Sequence, residues 1–304
     1  MTNEKSLVVK DNRLIEASYR LELSEQRLIL MAIVKARATD PITADTVLQV
    51  TAKDFAEICH LEIKNAYRRL KESAETLFER RVTVRSVHID TGNDAITTTR
   101  WVSSCTYVEQ SALVELQLAP KIIPYITDLE SKFTSYQLKN VAQMTSTYAI
   151  RLYELLAQYK TIGSRYFSIQ QLKDFLGADE KSYARMDNFK RNVLKVATHQ
   201  INLLTDLNIS YVDRKVGRSV VGFEFLIETK QIDCAAQPLP KKLAVSRPVA
   251  NIKIGLSLSE QSMLKQLSAE TGRPESELLA EARAAAGGDL FLWLDAQLRT
   301  ITTG

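Results

Sequence analysis

The sequence predicts an α+β, mainly helical fold in which one order of elements occurs twice, followed by a small C-terminal appendage. Three observations carry that prediction. Hydrophobic periodicity and capping residues read as helix, strand, two helices and a hairpin in the first half, and the same order returns in the second. Pro238, Pro240 and Pro248 then cluster, and the composition changes beyond them. The length of 304 residues suits two domains, at roughly 150 residues each.

In the first half, Ser24 is placed to cap a helix reaching about Ala38, with Leu28, Met31, Ala32 and Lys35 at helical spacing. A short strand is expected at 47–50. Thr51 opens Thr-Ala-Lys-Asp, a capping-box variant, before a short helix that buries Phe55 and Ile58. A longer helix covers 63–78, its core stripe being Ile63, Ala66, Tyr67, Leu70, Ala74 and Phe78. β-branched strands follow at 82–89 and 97–107, joined by a turn-rich segment at 90–94.

The second half repeats the order with low identity and an insertion at 177–183. Tyr148, Ala149, Leu152, Leu156 and Tyr159 mark the first helix, and a strand is expected at 165–167. Ser168-Ile169-Gln170-Gln171 is a capping box ahead of Leu172 and Phe175. A long helix spans about 185–204. Strands at 208–213 and 219–228 follow, the latter alternating Val221, Phe223, Phe225 and Ile227 on one face.

Helix, strand, helix, helix, hairpin is the order of a winged helix, whose last helix can enter a DNA major groove while the hairpin forms the wing. A small α+β domain without a DNA role shares that order, so the charges must discriminate. On the second long helix the apolar stripe is Phe189, Val193, Val196, Ala197, Ile201 and Leu204. Opposite it lie Asn188, Arg191, Asn192, Lys195, Thr198, His199 and Asn202, with no carboxylate among them. Arg, Lys and Asn are the side chains that match guanine and adenine edges. Lys190 on the flank suits phosphate, and Arg185 near the helix start suits either. Arg214, Lys215 and Arg218 surround Gly217 at the hairpin tip and form a cationic wing. On the first long helix Asn65, Arg68 and Arg69 face outward, but Glu72 and Glu75 dilute their field.

Several classes are excluded or disfavoured. Hydrophobic residues at 45% and charged residues at 25% are values of an ordinary globular chain. The longest clean apolar run, 28–34, is far too short for a membrane span, and residues 1–11 lack a signal-peptide core. Cys59, Cys105 and Cys234 are odd in number and scattered, which argues against a disulfide framework or zinc site and for a reducing cytoplasm. No glycine precedes lysine, so a Walker loop is lacking. His60, His88 and His199 each stand alone, and His88-Ile89-Asp90 lacks the second histidine of a metal-binding strand. Any of eleven tyrosines could serve a nicking reaction, but nothing singles one out. Forty Lys and Arg against 36 Asp and Glu leave +4, too little to identify a nucleic-acid partner as a total.

Three segments together resemble the iteron-binding plasmid replication initiators. They are Leu14-Ile15-Glu16-Ala17-Ser18-Tyr19-Arg20-Leu21 with Gln26-Arg27, Phe133-Thr134-Ser135-Tyr136-Gln137-Leu138 followed by Tyr148-Ala149-Ile150-Arg151-Leu152-Tyr153-Glu154-Leu155-Leu156-Ala157-Gln158-Tyr159, and Tyr183-Ala184-Arg185-Met186-Asp187-Asn188-Phe189-Lys190-Arg191. The resemblance covers about 10–230. It implies two winged-helix domains that bind directly repeated double-stranded origin DNA, with Arg191 as a base-contacting arginine. It also implies a homodimer in equilibrium with monomer, dimers repressing their own gene at an operator inverted repeat. The host replication initiator and replicative helicase are the implied partners, and neither cofactor nor enzymatic activity is implied. A repressor without an initiation role and a rolling-circle nicking enzyme remain alternatives.

The expected division is 1–130 for a first domain of DNA binding and dimerisation, 131–232 for the main DNA-binding domain, 233–250 for a linker and 251–304 for the appendage. Within the appendage, a strand at 251–256 and helices at 259–272 and 274–286 resemble a ribbon-helix-helix unit, in which Asn251 and Lys253 could face DNA. A plain helical appendage, with a further helix at 289–301, is the other reading.

Overall fold

A computed structural model of the chain describes residues 6–39, 41–88, 91–127, 133–178, 181–230, 264–265, 267–268, 271 and 273–278. The first strand, β1 (Leu7–Asp11), runs into a single turn, α1 (Asn12–Ile15), where the Asp11 carboxylate accepts the Arg13 amide at 2.7 Å. After β2 (Ser18–Tyr19) comes α2 (Leu23–Arg37). The sequence places the cap of α2 at Ser24; the structure places it at Glu22, whose amide donates to Glu25 Oε2 at 2.7 Å and closes the first turn. From Glu25 to Ile33 every side of α2 is buried, which makes it a central helix.

β3 (Leu48–Thr51) leads into α3 (Ala52–Cys59), where the Thr51 hydroxyl accepts the Asp54 amide at 3.0 Å as the capping pattern predicts. Phe55 is fully buried, and Ile58 is only partly so. His60, in the left-handed region at φ 50°, ends α3 and turns the chain into α4 (Ile63–Leu77). The buried ridge of α4 is Ala66, Leu70, Ser73, Ala74 and Leu77. This seam turns Ile63 and Tyr67 away from the core, leaving them 50% and 42% exposed against expectation. Phe78 lies past the helix end, where the Arg100 guanidinium covers its ring at 4.4 Å.

The strand expected at 97–107 is two strands in different sheets. β4 (Arg81–Val87) pairs with β5 (Asp94–Arg100), and β2 joins the far edge of β4. Trp101, wholly buried, anchors the crossing to β6 (Val102–Val108), which pairs with β7 (Leu113–Leu118) and through it with β3. The wing of the first module is therefore β6–β7, and the β4–β5 hairpin is an addition ahead of it. Alternation alone could not see a sheet change at one buried tryptophan.

After α5 (Pro124–Thr127), β8 (Phe133–Gln137) pairs antiparallel with β1 from Leu7 opposite Gln137 to Asp11 opposite Phe133. Neither strand is apparent from the sequence. α6 (Lys139–Ala142) and α7 (Thr147–Ala157) follow, and α7 is buried from Ala149 to Ala157. β9 (Ser164–Ser168) ends in the predicted capping box, with the Gln171 amide to Ser168 Oγ at 3.2 Å and the Ser168 amide to Gln171 Oε1 at 3.3 Å. It opens α8 (Ile169–Leu176), which Gly177 ends at φ 64°.

The last helix runs as α9 (Met186–Phe189), a π turn (Lys190–Leu194) and α10 (Lys195–Leu204). A π turn holds more residues than an α turn, so it rotates the faces of the helix beyond it. Leu194 is consequently buried, while Val196, expected in the stripe, is 37% exposed. β10 (Leu207–Val216) and β11 (Ser219–Thr229) form the second wing. Arg214 pairs with Gly222 and Lys215 with Val220, so the extra residue Val221 bulges out, 37% exposed, rather than joining the inner face.

The sheet order β10-β11-β9 matches β6-β7-β3 strand for strand. With the preceding helices, two winged helices are present. Both lie in one compact unit, Met1–Asp233. Buried polar groups join them. Arg151 of α7 donates to Ala17 O at 2.8 Å on one side and to Phe175 O at 2.7 Å on the other. Glu154 accepts from Lys10 Nζ at 2.6 Å, Tyr136 OH at 2.5 Å and Arg151 Nη1 at 3.3 Å. Gly177 abuts Tyr19 so closely that a Cβ there would sit 2.4 Å from its carbonyl oxygen.

The second unit is Cys234–Gly304. Among its described residues Leu264, Leu267 and Leu278 are buried, and Arg273 pairs with Glu277 at 2.7 Å. The expected linker at 233–250, the strand at 251–256 with Asn251 and Lys253, and the helix at 289–301 lie outside the described residues.

Candidate nucleic-acid interface

From Asn188 to Leu204 the second recognition helix carries no carboxylate. Phe189, Val193, Leu194, Ala197 and Ile201 hold it against the module, and this leaves Arg191, Asn192, Lys195 and His199 exposed. Asn188 sits at the centre of a small polar array. Its Oδ1 accepts from Asn192 Nδ2 at 2.7 Å and from Arg191 Nη2 at 3.3 Å, while its Nδ2 donates to Ser182 O at 3.3 Å. The array restrains the Arg191 fork without cancelling its charge. Arg185, exposed, is the residue before the first helical turn.

Lys190, expected on phosphate, is engaged within the module. Its ammonium pairs with Asp213 on the wing and lies 5.6 Å from the Phe223 ring centre, so it fastens helix to wing. Arg214 likewise pairs with Glu224 across the hairpin. Lys215 and Arg218 remain exposed at the tip around Gly217, whose φ of 59° makes the turn. Among the described residues, Arg185, Arg191, Lys195, Lys215 and Arg218 are the candidate cations of this module without a carboxylate partner.

Asn202, expected on the outer face, instead pins the helix to β10, accepting the Ile209 amide at 2.7 Å and donating to its carbonyl at 2.8 Å. Gln200 holds the loop before α7, its Oε1 accepting the Thr145 amide at 2.9 Å and the Ser146 amide at 3.2 Å. These positioning roles, and that of Asp213, are not legible in the sequence, because each partner lies in another element.

The first module offers less. Arg68 is exposed and lies 4.0 Å from Glu72 in an i,i+4 pair. Asn65 is partly buried on α4, and Arg69 turns inward to line a cleft with Arg27. The wing tip between β6 and β7 carries Glu109, paired with Lys71 at 3.4 Å, where the second wing carries cations.

Residues 7–157 match the family model described as the first winged helix, WH1, of initiator replication proteins, and residues 168–227 match that of the second, WH2. An uncharacterized 27.6 kDa protein of Escherichia coli is 25% identical over 220 residues, which cover 69% of this chain and 91% of that protein. A WH1 domain of a replication protein isolated from a multiple sclerosis patient is 37% identical over 36% of this chain and 81% of that one, with a TM-score of 0.31. The Pi initiator protein, solved in complex with iteron DNA, is 22% identical over 76% of this chain and all of that one, and its TM-score of 0.64 shows the shared fold. Among the described residues no helix is long and apolar enough to cross a membrane. The chain belongs to the family of initiator replication proteins built from a WH1 and a WH2 winged helix.

Proposed function

We propose that the protein starts plasmid replication by binding directly repeated origin DNA, iterons, through both winged helices. The second module, 131–232, reads bases with Asn188, Arg191, Asn192 and Lys195. Arg185, Lys215 and Arg218 hold phosphates. The first module, 1–130, adds weaker contacts through Asn65 and Arg68 and carries the dimer interface. On this reading the protein acts in the cytoplasm without enzymatic activity, and its dimer represses its own gene. The bound monomer opens the origin for the host initiator and helicase.

The observation that carries the reading is the pairing of a carboxylate-free recognition helix with a cationic wing tip in one module. The test is a reporter plasmid that carries the cognate origin and lacks its own initiator. Supplying this chain in trans should sustain the plasmid. If the chain binds the origin repeats but the plasmid is lost, the protein is a repressor and not an initiator.

A further inference from the structure

Between the two modules lies a cleft of about 680 Å³ lined by Arg27, Cys59, His60, Arg69, Gln143 and Thr145 together with two leucines. No carboxylate is among its lining residues. Arg27 is 5% exposed, donates through Nη2 to Met144 O at 2.9 Å, and keeps a buried Nε without a hydrogen-bond partner. Arg69 forms no ion pair among the described residues. Two arginines sharing a partly buried wall with no counter-charge is an arrangement a bound oxyanion relieves.

The chemistry of the rest of the wall agrees. Burial holds the Arg27 guanidinium below its ordinary value; the neighbouring Cys59 acts against this, and the nearby Arg69 charge acts with it. Burial also pushes the Cys59 thiol up to about 11, so it stays neutral and cannot serve as the counter-ion. The His60 ring meets the Gln143 amide nitrogen at 3.1 Å, which closes the cleft from the first helix-turn-helix to the loop before α7. That loop is held by Gln200 of the second recognition helix. An anion here would touch the first long helix at Arg69 and the loop that Gln200 braces.

We infer that the cleft is a binding site for a phosphate-class oxyanion, held by Arg27 and Arg69 with His60, Gln143 and Thr145 at its rim. The phosphate comes either from the backbone of bound DNA or from a free phosphate compound. Only the DNA arm of the test rests on the function proposed above.

The test titrates the full-length protein with pyrophosphate by calorimetry and follows the His60 ring protons by NMR. Pyrophosphate should bind and shift the His60 resonances. Arg69→Gln, at a side chain without an ion-pair partner, should weaken it by about tenfold or more, the loss of a charge-assisted contact. Lys121→Gln, at an exposed lysine outside the cleft lining, should leave it unchanged. Repeating the titration with the protein saturated by duplex carrying the repeats separates the sources. Loss of pyrophosphate binding assigns the site to the DNA backbone, and retention assigns it to a free phosphate. Equal binding by wild type and Arg69→Gln, or unmoved His60 resonances, overturns the inference. A chain that binds pyrophosphate in the cleft but no duplex would refute the proposed function and leave the cleft assignment standing.

Discussion

Replacing Lys10 by Met should destabilise the Met1–Asp233 unit by about 2–3 kcal/mol, the loss of a buried charge-assisted hydrogen bond to a carboxylate that Arg151 still neutralises. Lys10 and Glu154 are 1% and 0% exposed, and the substitution leaves the carboxylate facing Arg151 at 3.3 Å and the Tyr136 hydroxyl at 2.5 Å. Such a loss is a large part of the stability of an ordinary protein of this size. Urea unfolding followed by tryptophan fluorescence suits the measurement, because the Trp101 ring lies 4.9 Å, edge to face, from the Tyr19 ring of the same network. Adding Glu154→Gln should cost more than Lys10→Met alone but less than the sum of the two single changes, since they remove one shared ion pair and the double variant leaves Arg151 without its carboxylate. Burial by itself would raise the Glu154 carboxyl, but Lys10 and Arg151 overcome this and hold it below the ordinary 4.5. A depressed carboxylate adds stability that is complete above that value and lost as pH falls through the lower folded value. Wild type should therefore weaken on acidification below 4.5, and Glu154→Gln should weaken less. A loss under about 1 kcal/mol in Lys10→Met, the level of an exposed pair, with simple additivity in the double variant, would refute the reasoning.

The five candidate cations that have no carboxylate partner among the described residues of the second module should give a slope of log K against log salt of about −4 to −5, measured by fluorescence anisotropy on duplex repeats; a nearly salt-independent affinity would contradict their phosphate contacts. Gly177→Ala should lower the melting temperature, its Cβ meeting the Tyr19 carbonyl oxygen at 2.4 Å in a left-handed turn, and a cost of about 1–3 kcal/mol is expected from strain and overpacking. An unchanged melting temperature would mean that the modules separate freely at this contact. Lys190→Met and Asp213→Asn should each weaken DNA binding while the double variant weakens it by less than the sum, because both act on one helix-to-wing tie. Full additivity would return Lys190 to a direct phosphate role.

The repeat of helix, strand, helix, helix and hairpin was legible because capping residues and amphipathic spacing are local. Thr51 and Ser168 cap as their neighbours demand. The strands β1 and β8 were not legible, since they pair across more than a hundred residues and lie in short segments without strong alternation. The π turn escaped because a helical wheel assumes one angle throughout, and Val196 is its visible consequence. The segments that carry the family resemblance proved to be partly architectural. Tyr19, Tyr136, Arg151 and Glu154 all meet in the buried join between modules, shielded from solvent. The third segment, with Asn188 and Arg191, does lie on an exposed face. Likewise the small net charge misleads as a sum. Lys190 and Arg214 pair with wing carboxylates, a neighbourhood only three dimensions reveal.

The central claim is that the second recognition helix reads directly repeated DNA. Footprinting of the wild-type chain and of Arg191→Ala on the DNA flanking the coding region tests it most directly. The account predicts protection of direct repeats, each about two helical turns long, with Arg191→Ala weakening the protected sites by about 1–3 kcal/mol, roughly ten- to a hundredfold. Equal protection by both proteins, or wild-type protection indifferent to sequence, would contradict it.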